Sequence, residues 1–172
     1  MVLNDCSTEL LTIGHGDLPL DEFVALLSSH AAEVIADVRT QPYSRYVPEY
    51  NRDVLETVLP RHGIRYEFWG GDLGGRPDDP SVLDASGKPD YDLMAEQLPF
   101  GAALERLAAA AAERKTCMLC SEEDPCHCHR SSLLGRALAQ MGVAVLHIRR
   151  NGTTETQEHV WQRQTKGQLT LF

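Results

Sequence analysis

Long apolar runs are missing from this sequence. The alanine-rich stretch around Ala108–Ala112 falls far short of what a membrane-spanning helix needs. The first residues, Met1–Ser7, lack a basic start followed by an apolar stretch, which predicts no secretory signal and a cytoplasmic location. Positive charge is also scarce. Sixteen Lys and Arg face 25 Asp and Glu, for a net charge of −9. That balance argues against a generic nucleic-acid binder, because phosphate contacts need a positive face. Cysteine is limited to five, an odd number, and four of them crowd into Cys117–Cys128, which fits reduced thiols better than a disulfide framework. Internal repeats are absent.

What is present suits one domain with a real core: 172 residues, 42% hydrophobic and 24% charged. The charge is uneven. Residues 67–124 hold thirteen acids against five Lys/Arg, and residues 125–172 hold two against six, so a locally basic surface can coexist with an acidic whole. Solvation of an ordinary surface explains the same pattern.

Five short β-like runs alternate with helical patterns, the signature of an α/β fold with a mostly parallel sheet of about five strands. The runs are Glu9–Ile13, Val34–Val38, Ile64–Trp69, Thr116–Cys120 and Val143–Ile148. Helices are expected over Leu20–His30 with Asp17 as cap, after Asn51 up to Gly63, over Tyr91–Arg114 with a break at Pro99, and over Ser131–Met141 before Gly142. Arg76–Asp90, rich in Pro and Asp, reads as an excursion loop. Residues 1–150 are expected as a single α/β domain and residues 151–172 as a polar C-terminal tail.

Ligands of open α/β sheets bind outside the carboxyl ends of the strands. Those ends carry Gly14-His15-Gly16, Arg39 with Arg45, Gly70–Gly75, Cys120-Ser121-Glu122 and His147, and Cys128-His129-Arg130 opens the following helix. His15 and His129 suit acid/base chemistry near neutral pH. Arg39, Arg45 and Arg130 suit bidentate capture of phosphate or carboxylate. Asp37 pairs with Arg39 or braces a backbone amide. Gly14, Gly74 and Gly75 let a backbone approach a ligand, or simply let the chain turn. Cys128, beside a helix N-terminus, His129 and Arg130, is the candidate thiolate, with Cys120 and Glu122 facing it; the same cysteines also suit small buried packing positions.

Four segments occur in a particular order: Thr12-Ile13-Gly14-His15, Asp37-Val38-Arg39, Leu73-Gly74-Gly75, and Leu119-Cys120 with Pro125 and Cys128-His129-Arg130. Together they resemble the motif set of the domain of unknown function 488 family. The resemblance runs from Thr12 to Ile148 and implies a three-layer Rossmann-like sandwich with an active site to which no reaction is assigned. Cys117, Cys126 and His127 lie outside the pattern.

Two sharper alternatives remain. A metal centre is suggested by Cys117-x2-Cys120 and Cys126-His127-Cys128-His129, six potential ligands in all. Against this, Met118-Leu119 is strand-like, and strand alternation points Cys117 and Cys120 apart. A rhodanese- or phosphatase-like loop is suggested by Asp-Val-Arg after a strand, yet the required Cys-x5-Arg is absent. The Leu-Gly-Gly turn likewise lacks the Lys-Ser/Thr of a phosphate-binding loop.

The leading expectation is an enzyme acting on an anionic small molecule or nucleotide. A competing one is a non-catalytic DNA-maintenance protein tethered by its tail. The last residues, Gln168-Leu169-Thr170-Leu171-Phe172, resemble the motif with which bacterial polymerases and repair proteins dock on the sliding clamp. On that reading Asn151–Gly167 is a flexible leash, Gln168 bonds at a pocket rim, and Leu169, Leu171 and Phe172 fill apolar pockets. The bland alternative packs the same residues as an edge strand.

Overall fold

The computed structural model describes residues 8–169, with the side chains of residues 167–169 excepted. At its centre is a six-stranded sheet in the order β3-β2-β4-β1-β5-β6. The parallel members are β1 (Glu9–Gly14), β2 (Val34–Asp37), β3 (Arg65–Phe68), β4 (Thr116–Cys120) and β5 (Ala144–Ile148). The inner strands β2 and β4 are buried at every position. Continuous burial is what helices on both faces of a parallel sheet impose, and it explains why these strands read as unbroken apolar runs.

Strand alternation splits the core into two layers. Leu11, Ile13, Ile35, Cys117 and Leu119 face α1 (Leu20–Ser29) and α2 (Arg52–Val58), meeting Phe23, Leu27 and Leu55. Leu10, Ala36, Met118 and Val145 face the other way. There they meet Phe100, Leu104 and Leu107 of α5 (Leu98–Glu113) and the helical segment after β4. The expected three-layer Rossmann-like sandwich is therefore what forms. The connections that leave the neighbouring strands β1 and β4 run to opposite sides of the sheet on opposite faces.

Several local expectations change in detail. Asp17 does not cap α1, which starts after Pro19 without a side-chain cap; Asp17 instead pairs with Arg150. Asn51 precedes α2, but its Oδ1 accepts from the Ser44 amide at 2.6 Å. The short α3 (Gly70–Leu73) occupies the glycine-rich turn. The break near Pro99 falls between α4 (Tyr91–Ala95), capped by Asp90, and α5, whose first turn takes the proline. The helix expected over Ser131–Met141 begins as a wide π-helical turn, Arg130–Gly135, before α6 (Arg136–Gln140).

The largest correction is the tail. Residues 151–167 are not a leash: β6 (Thr154–Thr156) pairs antiparallel with β5, and α7 (Gln157–Leu169) follows it. Ion pairs rather than apolar burial hold this segment. Arg163 bonds Asp124 and Glu155, and Arg149 bonds Glu123 and Glu155. Val160 is the fully buried apolar residue of α7. Thr170, Leu171 and Phe172, with the side chains of Gln168 and Leu169, lie outside the described residues.

Candidate functional site

The end of β4 delivers Cys120, and a 3-10 turn, Pro125–His127, returns the chain so that Cys128 and His129 stand beside it. Asp124 caps that turn by accepting from the Cys126 amide at 2.9 Å. The His129 ring is pinned on two sides. Its Nε2 lies 3.1 Å from the Val38 carbonyl, which can only accept, so Nε2 carries hydrogen. On the other side Gly75 packs so closely that a Cβ there would lie 2.5 Å from the ring Cγ. His129 Nδ1 then faces the two sulphurs, 3.6 Å from Cys120 Sγ and 3.9 Å from Cys128 Sγ. These three atoms all lie within 4.8 Å of one another, and all three residues are buried.

The two thiols do not titrate alike. The neighbouring Cys128 thiol, with His129 and the Arg130 guanidinium, holds Cys120 well below the ordinary thiol range, against the effect of burial. Cys128, beside that sulphur and buried, is pushed up. Cys120 is thus the more acidic sulphur of the pair, where the sequence pointed to Cys128. Nδ1 of His129, whose other nitrogen is committed to the Val38 carbonyl, is the side-chain nitrogen that faces both sulphurs.

The cluster forms one end of a cavity of about 540 Å³. Its other walls come from loops: Thr40, Gln41 and Tyr43 after β2, Arg76, Pro77 and Asp78 of the excursion loop, Tyr91 at the start of α4, and Ser121, Glu122 and His127 after β4. The size is that of a small-ligand site. Arg76 is exposed and its guanidinium forms no ion pair among the described residues, whereas the carboxylates of Asp78 and Glu122 also reach the walls.

The other expected site residues have different tasks. Arg39 lines the cavity, but Nε and Nη2 are committed to Asp37 at 2.9 and 2.6 Å, and Nη2 also donates to the Tyr50 carbonyl. Its charge is largely answered. His15 lies behind Arg39, outside the cavity lining, stacked on Tyr50 with ring centroids 4.2 Å apart. Its Nδ1 donates to the Gly16 carbonyl and its Nε2 accepts from Arg39 Nη1 at 3.5 Å; burial, with Arg39 alongside, pushes its pKa down. A neutral His15 holds Arg39 in place. Arg45 is exposed, bonded to the Tyr46 hydroxyl, and away from the cavity.

Arg130 is the clearest reassignment. It is wholly buried and donates to the carbonyls of Glu122 and Glu123, while its Nε has no partner. It is a strut for the loop after β4 rather than an anion clamp. Gly14 exists to admit it: a Cβ there would collide with the Glu122 carbonyl and the Arg130 guanidinium. Gly74 makes a similar close approach to the Gly70 carbonyl and Thr40.

The six-ligand metal alternative does not survive. Cys117 is buried in the opposite core layer, and Cys126 points its Sγ to the Val160 carbonyl at 3.7 Å. All four described cysteines are free. The side chains that can converge on one ion are Cys120, Cys128 and His129. Sequence reasoning missed Thr40, Gln41, Tyr43, Arg76 and Tyr91. Each sits on a loop without local periodicity, and only an arginine or tyrosine in a turn-rich segment hinted at them.

Residues 19–137 match the family described as Domain of unknown function DUF488. The chain belongs to that family. The match takes in Asp37-Val38-Arg39, Leu73-Gly74-Gly75 and the whole Cys120–Arg130 segment, so every residue that lines the cavity falls within it; β1 and everything from β5 onward lie beyond it. No curated protein and no solved structure matches the chain. Among the described residues, no helix is long and apolar enough to cross a membrane.

Proposed function

We propose that this DUF488 chain is an enzyme whose active site is the strand-end cavity, with Cys120, Cys128 and His129 as the reacting centre and a small anionic or nucleotide-like molecule as substrate. The observation that carries this reading is the convergence of two thiols and one pinned imidazole nitrogen within 4.8 Å in the lining of a ligand-sized cavity. A purely structural cluster has no need of an adjoining polar cavity. Arg76 at the rim supplies an uncommitted cation for an anionic group, and Tyr43 and Tyr91 supply rings beside it.

Calorimetric titration with inorganic phosphate, nucleoside monophosphates and sugar phosphates tests the reading. At least one should bind, and Arg76→Ala should weaken it by about tenfold, the loss of roughly one exposed charged hydrogen bond. Absence of binding by every probe, or binding untouched by Arg76→Ala, sinks it.

A second reading, docking on a sliding clamp through Gln168, Leu169, Leu171 and Phe172, rests on the identity of those residues alone. Its leash is shorter than the sequence suggested, because α7 runs to Leu169. A purified clamp should bind the chain at micromolar strength and lose it on Leu171→Ala/Phe172→Ala; equal binding by the double variant discards the idea.

A further inference from the structure

We propose that Cys120, Cys128 and His129 are a three-ligand site for a divalent ion of the zinc class, bound through Sγ, Sγ and Nδ1, with the fourth position facing the cavity. The proposal rests on the reading of that cavity as an active site and names what does the work there.

Distances come first. Tetrahedral bond lengths of about 2.3 Å for sulphur and about 2.0–2.1 Å for imidazole nitrogen put ligand sulphur and ligand nitrogen about 3.6 Å apart. The two sulphur–nitrogen separations here are 3.6 and 3.9 Å. The two sulphurs also lie within 4.8 Å of each other, so all three atoms surround a common point.

The surroundings are those of a ligand set. A ligating histidine gives its other ring hydrogen to a fixed acceptor, which sets the tautomer and aims the lone pair. His129 does so with the Val38 carbonyl, and Gly75 packs closely against the ring. The Cys128 sulphur accepts from the Arg130 amide at 3.4 Å, the kind of bond that steadies a thiolate without competing for the metal. Two thiolates and one neutral imidazole cancel the charge of a divalent ion, which suits a site this buried.

The number of ligands also matters. A structural zinc takes four protein ligands, whereas a catalytic zinc takes three and leaves one position for water or substrate. Cys117 and Cys126 are turned elsewhere, and no other His, Cys, Asp or Glu among the described residues joins this cluster. The fourth position therefore belongs to whatever fills the cavity. Both sulphurs ligate as thiolates, so binding releases to solvent whatever protons they hold and moves no electron. A substrate oxygen or water at the open position would then be polarised by the ion, in place of attack by a free thiolate.

Cobalt(II) titration of the chelator-stripped full chain, kept reduced and without a metal-binding tag, tests the site. One equivalent should bind with intense sulphur-to-cobalt charge-transfer absorption and the visible bands of tetrahedral cobalt, and zinc should displace it. Cys120→Ser and Cys128→Ser should each weaken binding by more than about 100-fold, the upper end of what even an outer-shell partner costs. Cys126→Ser should bind as the parent does. The parent spectrum decides the matter if either serine variant fails to fold by circular dichroism. A parent chain without the charge-transfer band, or variants that keep it, overturns the site. Phosphate-probe binding that persists without cobalt binding would remove the ion and leave the cavity reading standing; cobalt binding with no probe bound would do the reverse.

Discussion

His129 and Val38 are joined by a 3.1 Å hydrogen bond from ring Nε2 to the main-chain carbonyl, and this bond points Nδ1 at the two sulphurs. The imidazole is held from below by β2's end and from the side by Gly75, so its direction is set before any ligand arrives.

Gly75→Ala should therefore injure the site more than the fold. The added methyl would sit 2.5 Å from His129 Cγ and must displace the ring. Overpacking of this kind costs about 1–3 kcal/mol. Urea unfolding should show that loss, and alkylation of Cys120 at neutral pH should slow at the same time. An alanine variant with unchanged midpoint and unchanged Cys120 labelling would mean the ring is not pinned.

His147 gives the protein a pH-dependent stability. It is fully buried, accepts from the Thr12 hydroxyl at Nδ1 and donates from Nε2 to Gln157 Oε1, at 2.7 and 2.9 Å. Burial, reinforced by Arg130, lowers its pKa to about 4 from 6.5. The unfolded chain thus binds the extra proton between those values and the folded chain does not. Stability contributed by neutral His147 is complete above pH 6.5 and is lost as pH falls towards 4, by an amount on the order of 3 kcal/mol. Denaturant midpoints measured from pH 7.5 to 4.5 should fall, and a His147→Asn variant should lose much of that slope. His15, depressed mainly by burial, adds in the same direction. A flat parent profile over this window would refute the assignment.

Arg130→Met keeps a long side chain but removes both donors to the Glu122 and Glu123 carbonyls. The variant should lose about 3 kcal/mol, with two carbonyls left short of a partner. Hydrogen exchange should quicken in residues 121–128. If stability holds, the desolvation of a buried guanidinium has cancelled its hydrogen bonds, and the strut is dispensable.

The parallel sheet was legible because double-sided burial writes itself as runs such as Val34–Val38 and Thr116–Cys120. The β6–α7 segment was not, because its attachment is ionic: Arg163 and Arg149 reach across to Glu123, Asp124 and Glu155, and hydrophobic periodicity carries no trace of that. At the site, Cys120, Cys128 and His129 could be read from their place after a strand. Which sulphur is the more acidic could not, since it depends on the approach of two side chains eight residues apart. Arg130 looked like a clamp because sequence does not tell whether a guanidinium points into a cavity or into the core. Arg76 and Tyr91 were hidden for the opposite reason, since loops bring them together from segments with no pattern in common.

The strand order carries a consequence for anyone trimming this chain. β1 pairs with β4 on one side and β5 on the other, so it is the keystone of the sheet, yet it lies N-terminal to the residues that match the family, and β5 lies C-terminal to them. A fragment cut to residues 19–137 would keep all three cluster residues and lose the strand against which β4 is registered. The unpaired edge of β4 would then be an open template for another copy. Such a fragment should precipitate or assemble edge to edge, so the minimal expressible unit has to start before Glu9 and run past Ile148.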